Sequence, residues 1–348
     1  MRILLISHEM TYTGAPNSLL NIARLLRSKG WHVAVRTLAV GNFSLQYAKH
    51  GFHVRPLNEN LSADECKKLA SQFDLIVCNT IFCARLACKL QQYVKTILYI
   101  REAENLPELL EKFHIDEGCL RNAENVICVS EYAERFIVKK YDPKRLWVLH
   151  NFLIMPPLHR PAENKVRGDK VRFLIAATIE KRKGIDVAIE AVKLLPKHIS
   201  DRLVLDIAGR KPDWSKEYWE NLIPENDPRF KYHGEVKGGK NRLFRRANVI
   251  IVPSLDESCS LTALEGAMFG KPLIVSENVG AKYLAEGCGF TVKTGDAEEL
   301  AQAIKFFVEN KKELDTAGKN CYKKFRMTST AKVYYKKIYE IFMEVLGE

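Results

Sequence analysis

Two glutamates, Glu257 and Glu265, stand eight positions apart in the segment ESCSLTALEGAMFGKPLIVS, which runs from residue 257 to 276. A carboxylate pairs well with two hydroxyl donors, so this spacing indicates a sugar or a ribose as a possible ligand. The residues from 261 to 269 predict a helix, whose first N–H groups and positive dipole end form an anion-binding site. The small side chains at residues 258–260 would let a sugar or a phosphate approach the backbone.

A purely structural interpretation of the same segment is equally open. Ser260 or Thr262 can cap the helix, and Thr262 with Glu265 fits a capping box in which Glu265 reaches back to the first turn. In that case Glu257 is a solvated loop residue. The residues of this segment alone do not decide between the two interpretations.

The elements that would position this segment predict an α/β fold. Short apolar strands alternate with helical segments along the chain, which favours parallel sheets covered on both faces. Proline and charge at residues 156–170 predict a linker. The predicted strands before the linker are Ile3–Ile6, Val33–Val35, Leu75–Val77, Thr96–Ile100, Val126–Val129 and Leu146–Leu149, and those after it are Phe173–Ala176, Leu203–Ile207, Val249–Val252 and Leu273–Val275.

Helices are predicted at residues 184–195, 240–247, 261–269, 297–308 and 330–346, and another between Pro16 and Gly30. We therefore expect two Rossmann-like, doubly wound domains, residues 1–155 and 171–328, facing a cleft. Ligands of open α/β sheets bind beyond the carboxyl ends of the strands. The loop after the strand Val249–Val252, which carries Glu257, is such a place.

The composition limits the class of protein. The chain has 348 residues, of which 47% are hydrophobic and 28% charged, as in ordinary globular proteins. It has no apolar run near the roughly 20 residues that span a bilayer, and its N-terminus lacks the features of a signal peptide. The nine cysteines match no metal-binding spacing, which favours buried, reduced thiols in a cytoplasmic protein.

The net charge of +12 is compatible with three kinds of binding partner: nucleic acid, an anionic membrane surface or anionic small substrates. No nucleic-acid-binding motif is present, so we expect no nucleic-acid partner. Residues 319–337 carry seven basic side chains and no acidic one, with tyrosine and phenylalanine between them. This segment is either a solvated basic helix face or a contact with an anionic membrane surface.

Five stretches, taken together, point to one family. The first is the frame P-S-x-x-E-x(7)-E, from Pro253 to Glu265, followed by Gly-Lys-Pro. The other four are TYTGAPNSLL (Thr11–Leu20), ICVSEYAERFI (Ile127–Ile137), VLHNF (Val148–Phe152) and TIEKRKGIDVAIEAV (Thr178–Val192). In order and spacing they resemble the retaining glycosyltransferases of family GT4, also called glycosyl transferases group 1, which have the GT-B fold. The resemblance covers nearly the whole chain.

The resemblance implies a nucleotide-sugar donor bound by the second domain and an acceptor bound by the first. Glu265 would bind the ribose, and Glu257 would contact the donor sugar without acting as a nucleophile. The loop of residues 233–236, ending at Val236, would lie against the base. Gly14 and Ala15 would let the first domain's backbone approach the diphosphate and the acceptor. The N–H groups expected to contact sugar and phosphate are those of Cys259, Ser260, Leu261 and Thr262.

The leaving diphosphate must meet positive charge as its bond to the sugar breaks. The sequence has no Asp-x-Asp, so we expect no metal or other cofactor and assign this role to Lys183 with Arg182. The family commonly has an arginine five positions before the lysine, where this chain has Thr178, so Arg182 is the candidate for the second positive charge.

A second departure lies in the stretch LYIREAEN, where Arg101 takes the place of a histidine that the family often has near the donor sugar. We include it among the catalytic candidates. Its contact with a charged donor or acceptor and a structural pairing with Glu102 or Glu104 are both open.

The expected reaction is therefore metal-independent transfer of a sugar, with retention, to a hydroxyl of a glycan or lipid-linked acceptor. UDP is favoured over GDP. Attack would come from the same face, with the leaving phosphate helping to deprotonate the acceptor. The resemblance also implies that residues 329–348 form a helix crossing back to the first domain, and that the protein works in the cytoplasm, peripherally on the inner face of the plasma membrane.

Two rival functions fit the same shape: a nucleotide-sugar epimerase, which would need no acceptor, and a non-catalytic sugar- or nucleotide-binding homologue. A dinucleotide-dependent enzyme is disfavoured, because no G-x-G-x-x-G follows any predicted strand.

Overall fold

The computed structural model describes residues 1–156, 159–161, 163–220, 222–224, 226–236 and 240–347. The chain divides into two compact units. Unit 1 comprises Met1–Ile154 together with the C-terminal residues from Ala331, and unit 2 comprises Met155–Thr330. The predicted linker, residues 156–170, falls within unit 2, and its residues 157, 158 and 162 lie outside the described part.

Unit 1 is built on a seven-stranded sheet in the order β3-β2-β1-β4-β5-β6-β7, in which all neighbouring strands are parallel. Its central strands read as continuous apolar runs because both faces of a parallel sheet are covered. The strands are β1 (Arg2–Ser7), β2 (His32–Thr37), β3 (Val54–Pro56), β4 (Leu75–Asn79), β5 (Thr96–Ile100), β6 (Asn125–Cys128) and β7 (Arg145–Val148).

The helices of unit 1 connect these strands, and the last helix of the chain joins them. They are α1 (Gly14–Ser28), α2 (Ser44–Lys49), α3 (Ala63–Ala70), α4 (Ala84–Leu90), α5 (Leu106–Lys112), α6 (Gly118–Arg121) and α7 (Glu131–Val138), with a 3₁₀ turn at Ile81–Cys83. As predicted, α1 stops just before Gly30, whose φ of 83° suits the glycine that follows a helix.

Unit 2 repeats the architecture with a six-stranded parallel sheet in the order β10-β9-β8-β11-β12-β13. Its strands are β8 (Val171–Ala176), β9 (Leu203–Ala208), β10 (Phe230–Tyr232), β11 (Val249–Val252), β12 (Leu273–Ser276) and β13 (Gly289–Val292). Its helices are α8 (Ile185–Leu194), α9 (Lys197–Ser200), α10 (Lys216–Trp219), α11 (Lys240–Arg246), α12 (Leu261–Met268), α13 (Ala297–Glu309) and α14 (Glu313–Thr328), with 3₁₀ turns at Lys181–Lys183, Asp213–Ser215 and Lys282–Leu284.

The final helix, α15 (Ala331–Leu346), belongs to unit 1. Tyr334 stacks on Phe152 with ring centroids 4.2 Å apart, and Phe342 lies 5.8 Å from Trp31. Its Glu344 carboxylate accepts a hydrogen bond from the indole N–H of Trp147 at 3.2 Å. The core of unit 1 therefore includes residues from both ends of the chain.

The predicted fold class, two doubly wound α/β domains, is confirmed. The expected strands and helices are present with ends shifted by one or two residues. Three short strands, β3, β10 and β13, were not predicted. Helices α2 to α6, α9, α10 and α14 were not predicted individually either.

The basic segment of residues 319–337 is not one helix face, since it spans the end of α14 and the start of α15. Phe325 and Tyr334 within it are buried, so these aromatic rings belong to cores. In the described residues, no helix is long and apolar enough to span a membrane. All nine cysteines are free, and all but Cys88 are buried, as the composition predicts.

Candidate functional site

The loop after β8 carries the basic motif and is held against the loop after β11. Gly184 follows the 3₁₀ turn Lys181–Lys183 with φ 61°, in the left-handed region that favours glycine. A Cβ at this position would come within 2.0 Å of the Pro253 carbonyl oxygen. The Leu255 N–H donates to the Arg182 carbonyl at 2.8 Å. Glycine at 184 is therefore what lets Lys183 approach Glu257.

Lys183 and Glu257 form an ion pair across these two loops. The ammonium group of Lys183 donates to Glu257 Oε2, and the two side chains keep only 13% and 17% of their surface exposed. The backbone of Glu257 is fixed as well, because its N–H donates to Asn278 O at 3.1 Å and its carbonyl accepts from Gly280 at 2.8 Å. Glu257 is thus not a solvated loop residue.

The charge state of Glu257 follows from this pairing. Burial alone would raise the pKa of its carboxyl, but the charges of Lys183 and Arg182, the Lys183 hydrogen bond and the Cys259 N–H together bring the pKa below its ordinary value. Glu257 is therefore an anion at neutral pH and can accept, but not donate, hydrogen bonds.

Arg182 is bound to the protein on two sides. Its Nη1 donates to the Asp256 carbonyl at 2.8 Å and its Nη2 to Glu180 Oε1 at 2.9 Å. Nη1 also lies 4.0 Å from Glu257 Oε2. Arg182 contributes positive potential to the loop, while Lys183 is the cation in direct contact with the carboxylate.

Helix α12 begins directly after this loop, and its cap is Ser260. The Ser260 hydroxyl accepts the N–H of Ala263 at 3.2 Å, whereas the Thr262 hydroxyl donates to the Ala176 carbonyl at the end of β8, at 2.6 Å. With Ser260 as cap, Glu265 is the fifth helical residue instead of the third. The proposed Thr262–Glu265 capping box is therefore wrong, and Glu265 is left for another role.

Gly266 lets helix α12 pack closely against the sheet. A Cβ there would lie 2.7 Å from Ile250 Cγ1 and 2.9 Å from Leu273 Cδ2, so only glycine lets the helix approach β11 and β12 this closely. The close packing fixes the positions of the first turn of α12 and of Glu265.

Glu265 has a partner that the sequence did not indicate. Lys240 Nζ, at the start of α11, lies 2.6 Å from Glu265 Oε2. The contact has the distance of an ion pair but lacks the angle of a hydrogen bond, and among the described residues no other donor reaches this oxygen. Glu265 therefore retains an accepting oxygen.

The other expected donor-side groups lie on the same edge of unit 2. The Cys259 N–H already bonds to the Glu257 carboxylate, and Leu261 and Thr262 open α12, where N–H groups have no intrahelical acceptor. Val236 ends the described part of the loop after β10. This loop is tied to the one after β9, because the Gly209 N–H donates to the Gly234 carbonyl at 2.9 Å.

In unit 1, Gly14 and Ala15 form the first turn of α1, after β1. A Cβ on Gly14 would meet no atom within 4 Å, so this turn is open. The Ala15 carbonyl lies 3.5 Å from Asn79 Nδ2, at the carboxyl end of β4.

Arg101 lies at the same edge of the sheet and is buried. Its Nε donates to Asn79 Oδ1 at 2.5 Å and its Nη1 to Asn151 Oδ1 at 2.9 Å, and its guanidinium lies over the Tyr99 ring. Glu102 accepts the backbone N–H of Arg101 at 3.0 Å instead of pairing with its side chain. The structural partners of Arg101 are therefore two asparagines and a tyrosine ring.

Sequence reasoning missed a polar cluster on this edge: His8, Glu9 and Thr80. The available signal was the stretch SHEMTYTGAP, in which polar residues directly follow a buried strand. Among the described residues, no group of three or more His, Cys, Asp or Glu side chains is placed to hold a metal ion.

Comparison with known proteins gives two family matches. The model described as "Glycosyl transferases group 1" matches residues 159–324, and the model described as "Glycosyl-transferase family 4" matches residues 1–102. An uncharacterized glycosyltransferase of Methanocaldococcus jannaschii is 27% identical over 192 residues, which are 52% of this chain and 48% of that protein. The chain spans about half the length of the curated relatives it matches first, at 48%, 48% and 54%.

Solved structures share the whole fold. The Anabaena protein HepE in complex with UDP superposes with a TM-score of 0.82 at 19% identity, covering 99% of this chain and 100% of that one. The same protein in complex with UDP-glucose gives a TM-score of 0.78 at 19% identity, with coverage of 99% and 100%. At this identity the likeness establishes the architecture alone.

Proposed function

Because this chain belongs to the group 1, family 4 glycosyl transferases and has the GT-B fold, we propose that it transfers a sugar from a nucleotide-sugar donor to a hydroxyl of a glycan or lipid-linked acceptor. The observation that carries the proposal is the Lys183–Glu257 ion pair. Its carboxylate lies in the loop that leads into helix α12, and α12 contains Glu265.

The first step is binding of the donor diphosphate at the start of α12. Lys183 supplies positive charge, Arg182 adds potential, and the N–H groups of Leu261 and Thr262 point along the helix dipole. These groups would stabilise the charge that develops on the leaving phosphate, in place of a metal ion. Glu257, an anion held in place by its backbone, accepts hydroxyls of the donor sugar.

The second step is recognition of the nucleoside. Glu265 accepts the ribose hydroxyls, and Lys240 holds its carboxylate in position. The loop that ends at Val236 lies against the base. We favour UDP over GDP, and the UDP and UDP-glucose complexes of HepE support this choice.

The third step involves unit 1. The open turn at Gly14 and Ala15 would admit the acceptor, and Arg101 would support the same edge through Asn79. We propose retention of configuration by same-face attack, with the leaving phosphate taking the acceptor proton.

A thermal-shift panel tests the proposal. UDP, GDP, ADP, CMP and their common sugars are each added with and without EDTA, and release of nucleotide from each sugar is followed in parallel. We expect UDP to stabilise the protein regardless of EDTA, Glu265→Ala to weaken the shift, and Glu190→Ala, on the exposed side of α8, to leave it unchanged.

Two other outcomes are informative. Interconversion of nucleotide sugars without an acceptor would identify an epimerase. Binding without any cleavage or transfer would identify a non-catalytic homologue, and no shift with any nucleotide would refute a nucleotide-sugar site.

A lipid-linked acceptor would bring the protein to a membrane. Five cations of the basic segment are exposed: Lys323, Arg326, Lys332, Lys336 and Lys337. We propose that they contact anionic lipid, and we expect co-sedimentation with phosphatidylglycerol vesicles that decreases with salt. Equal binding to neutral phosphatidylcholine vesicles would contradict this.

A further inference from the structure

Thr80, at the carboxyl end of β4, has a backbone conformation that β-branched residues rarely adopt. Its φ of 83° and ψ of 160° lie in a region that is essentially reserved for glycine. The residue is 1% exposed, and its N–H donates to the Tyr99 carbonyl at 2.7 Å. A threonine kept in this conformation needs a reason beyond the path of the chain, since glycine would take the same path without strain.

The reason is visible in what the Thr80 hydroxyl touches. Thr80 Oγ1 lies 2.9 Å from His8 Nδ1. Ser7 and Asn79 are paired at the ends of β1 and β4, so His8 and Thr80 are the residues that directly follow the two strands. Phe82 supports the other side of the imidazole at a centroid distance of 4.8 Å. The ring is therefore fixed at the sheet edge where ligands of this fold bind.

Glu9 completes the cluster and links it to α1. Glu9 Oε1 accepts the hydroxyls of Thr11 at 2.7 Å and Thr13 at 2.9 Å, and lies 3.5 Å from His8 Nε2. Thr13 immediately precedes Gly14, where α1 begins. The cluster and the open turn thus share one surface of unit 1.

We propose that His8 binds the attacking hydroxyl of the acceptor through Nε2, and that the strained Thr80 exists to orient its ring. In the tautomer we assign, the Thr80 hydroxyl donates to Nδ1 and the proton of the ring is on Nε2, which the Glu9 carboxylate oxygen 3.5 Å from Nε2 favours. Nε2–H then donates to the oxygen of the acceptor hydroxyl, which keeps its own proton for transfer. The inference rests on the proposed glycosyl transfer and adds the residue that orients the nucleophile. The proton still leaves with the departing phosphate.

The surroundings of His8 favour this role. Burial lowers the pKa of the imidazole, and the nearby Glu9 carboxylate offsets only part of that effect. Two further charged groups border the cluster, because Glu102 accepts the Ile81 N–H at 3.2 Å and Arg101 binds Asn79. The imidazole is neutral at pH 7 and still accessible, with 19% of its side chain exposed.

Paired substitutions of His8 give the first test. Asn places its amide near the position of Nδ1, whereas Gln can place an amide N–H donor near that of Nε2. With UDP-glucose as donor and a panel of alkyl monosaccharides as acceptors, we expect His8→Asn to lower kcat/KM for the acceptor about 10- to 100-fold, as for loss of a hydrogen bond to a reacting group. His8→Gln should recover part of that loss, and UDP affinity should stay within about twofold in both variants.

The exposed His53 is the matched control, and His53→Gln should behave as wild type.

Thr80 gives a test that separates function from stability. Glycine adopts a φ of 83° freely, so Thr80→Gly should unfold at the same temperature as wild type or higher. It should nevertheless lose most of the acceptor-dependent rate, because the ring of His8 is no longer held. Thr80→Ser keeps the hydroxyl and should keep the rate.

The outcomes divide clearly. Wild-type acceptor kinetics in both His8 variants, or loss of UDP binding in them with an unchanged melting temperature, would overturn the inference and leave the proposed function standing. Thr80→Gly with a lowered melting temperature and unchanged rate would make Thr80 a structural residue only. A wild-type protein that cleaves no nucleotide sugar would refute the proposed function, and this inference with it.

Discussion

At the scale of single residues, Lys183 and Glu257 are each other's counter-ions. The sequence suggested separate roles, with Lys183 on the phosphate and Glu257 on the sugar, but their side chains are in contact. A bound diphosphate would compete with Glu257 for the ammonium group. Substitutions of the two residues should therefore not have additive effects.

Lys183→Met should lower the free energy of unfolding by about 3 kcal/mol, because it leaves the Glu257 carboxylate buried without its cation. The double variant Lys183→Met with Glu257→Gln should regain most of that loss. Urea denaturation measures both. Lys181→Met is the control, since its pair with Asp186 is largely exposed on the lysine side and such pairs are worth about 0–1 kcal/mol. Equal losses in the single and double variants would contradict the assignment.

The pH dependence follows from the depressed pKa of Glu257. A group whose pKa is lowered on folding stabilises the native state above its unfolded pKa of about 4.3, and this contribution is lost as the pH falls through the folded value. Glu257→Gln should therefore flatten the acid side of a stability profile measured between pH 3 and pH 7. An unchanged slope would show that Glu257 is not ion-paired in solution.

At the scale of elements, Gly184 determines whether the loop after β8 can contact the loop after β11. Alanine there would need φ 61° and would also bring its Cβ to 2.0 Å from the Pro253 carbonyl. We expect Gly184→Ala to weaken UDP binding at least about tenfold and to destabilise the protein by about 2–3 kcal/mol, since a packed backbone must shift.

Gly287→Ala measures the cost of the positive φ alone, without a clash. Gly287 also has a positive φ, 73°, but a Cβ there meets nothing within 4 Å. The expected cost is about 1–2 kcal/mol, with UDP affinity unchanged. Equal effects of the two substitutions on UDP binding would mean that the clash with Pro253 is relieved without moving the site.

The elements also explain how far the sequence could predict the fold. The buried central strands were identifiable because LIVCN and TILYI are apolar throughout. All three missed strands, β3, β10 and β13, are edge strands of three or four residues. They are paired on one side and partly exposed, so they lack a continuous apolar run, and Pro56 and Gly289 further obscure the signal.

For the site, the sequence identified loops but not contacts. Glu257, Glu265 and Lys183 were recognisable because they sit in a family frame, whereas the contact of Lys183 with Glu257 joins residues 74 positions apart. The capping box failed because the helix starts one residue after Ser260, which places Glu265 too far along for that role. His8 was missed because its importance depends on Thr80, 72 positions away.

At the scale of the whole molecule, unit 1 is discontinuous in sequence, because α15 completes it. Tyr334, Ile338 and Phe342 of this helix are buried in unit 1. Truncation after Thr330 should therefore lower the melting temperature of unit 1 and leave that of unit 2 nearly unchanged. Calorimetry with and without UDP would assign the transitions, since UDP should raise only that of unit 2. A parallel drop in both transitions would contradict this division.

This arrangement has a consequence for synthesis. Domains are usually completed in the order in which the ribosome makes them, at about 5–20 residues per second. Here the first 154 residues must wait until the final helix has emerged before their core can close. Unit 2, translated later, has all its residues before unit 1 does. The unit whose synthesis starts first is thus finished last, and the apolar surface around Trp31 and Phe152 stays uncovered until α15 has been made.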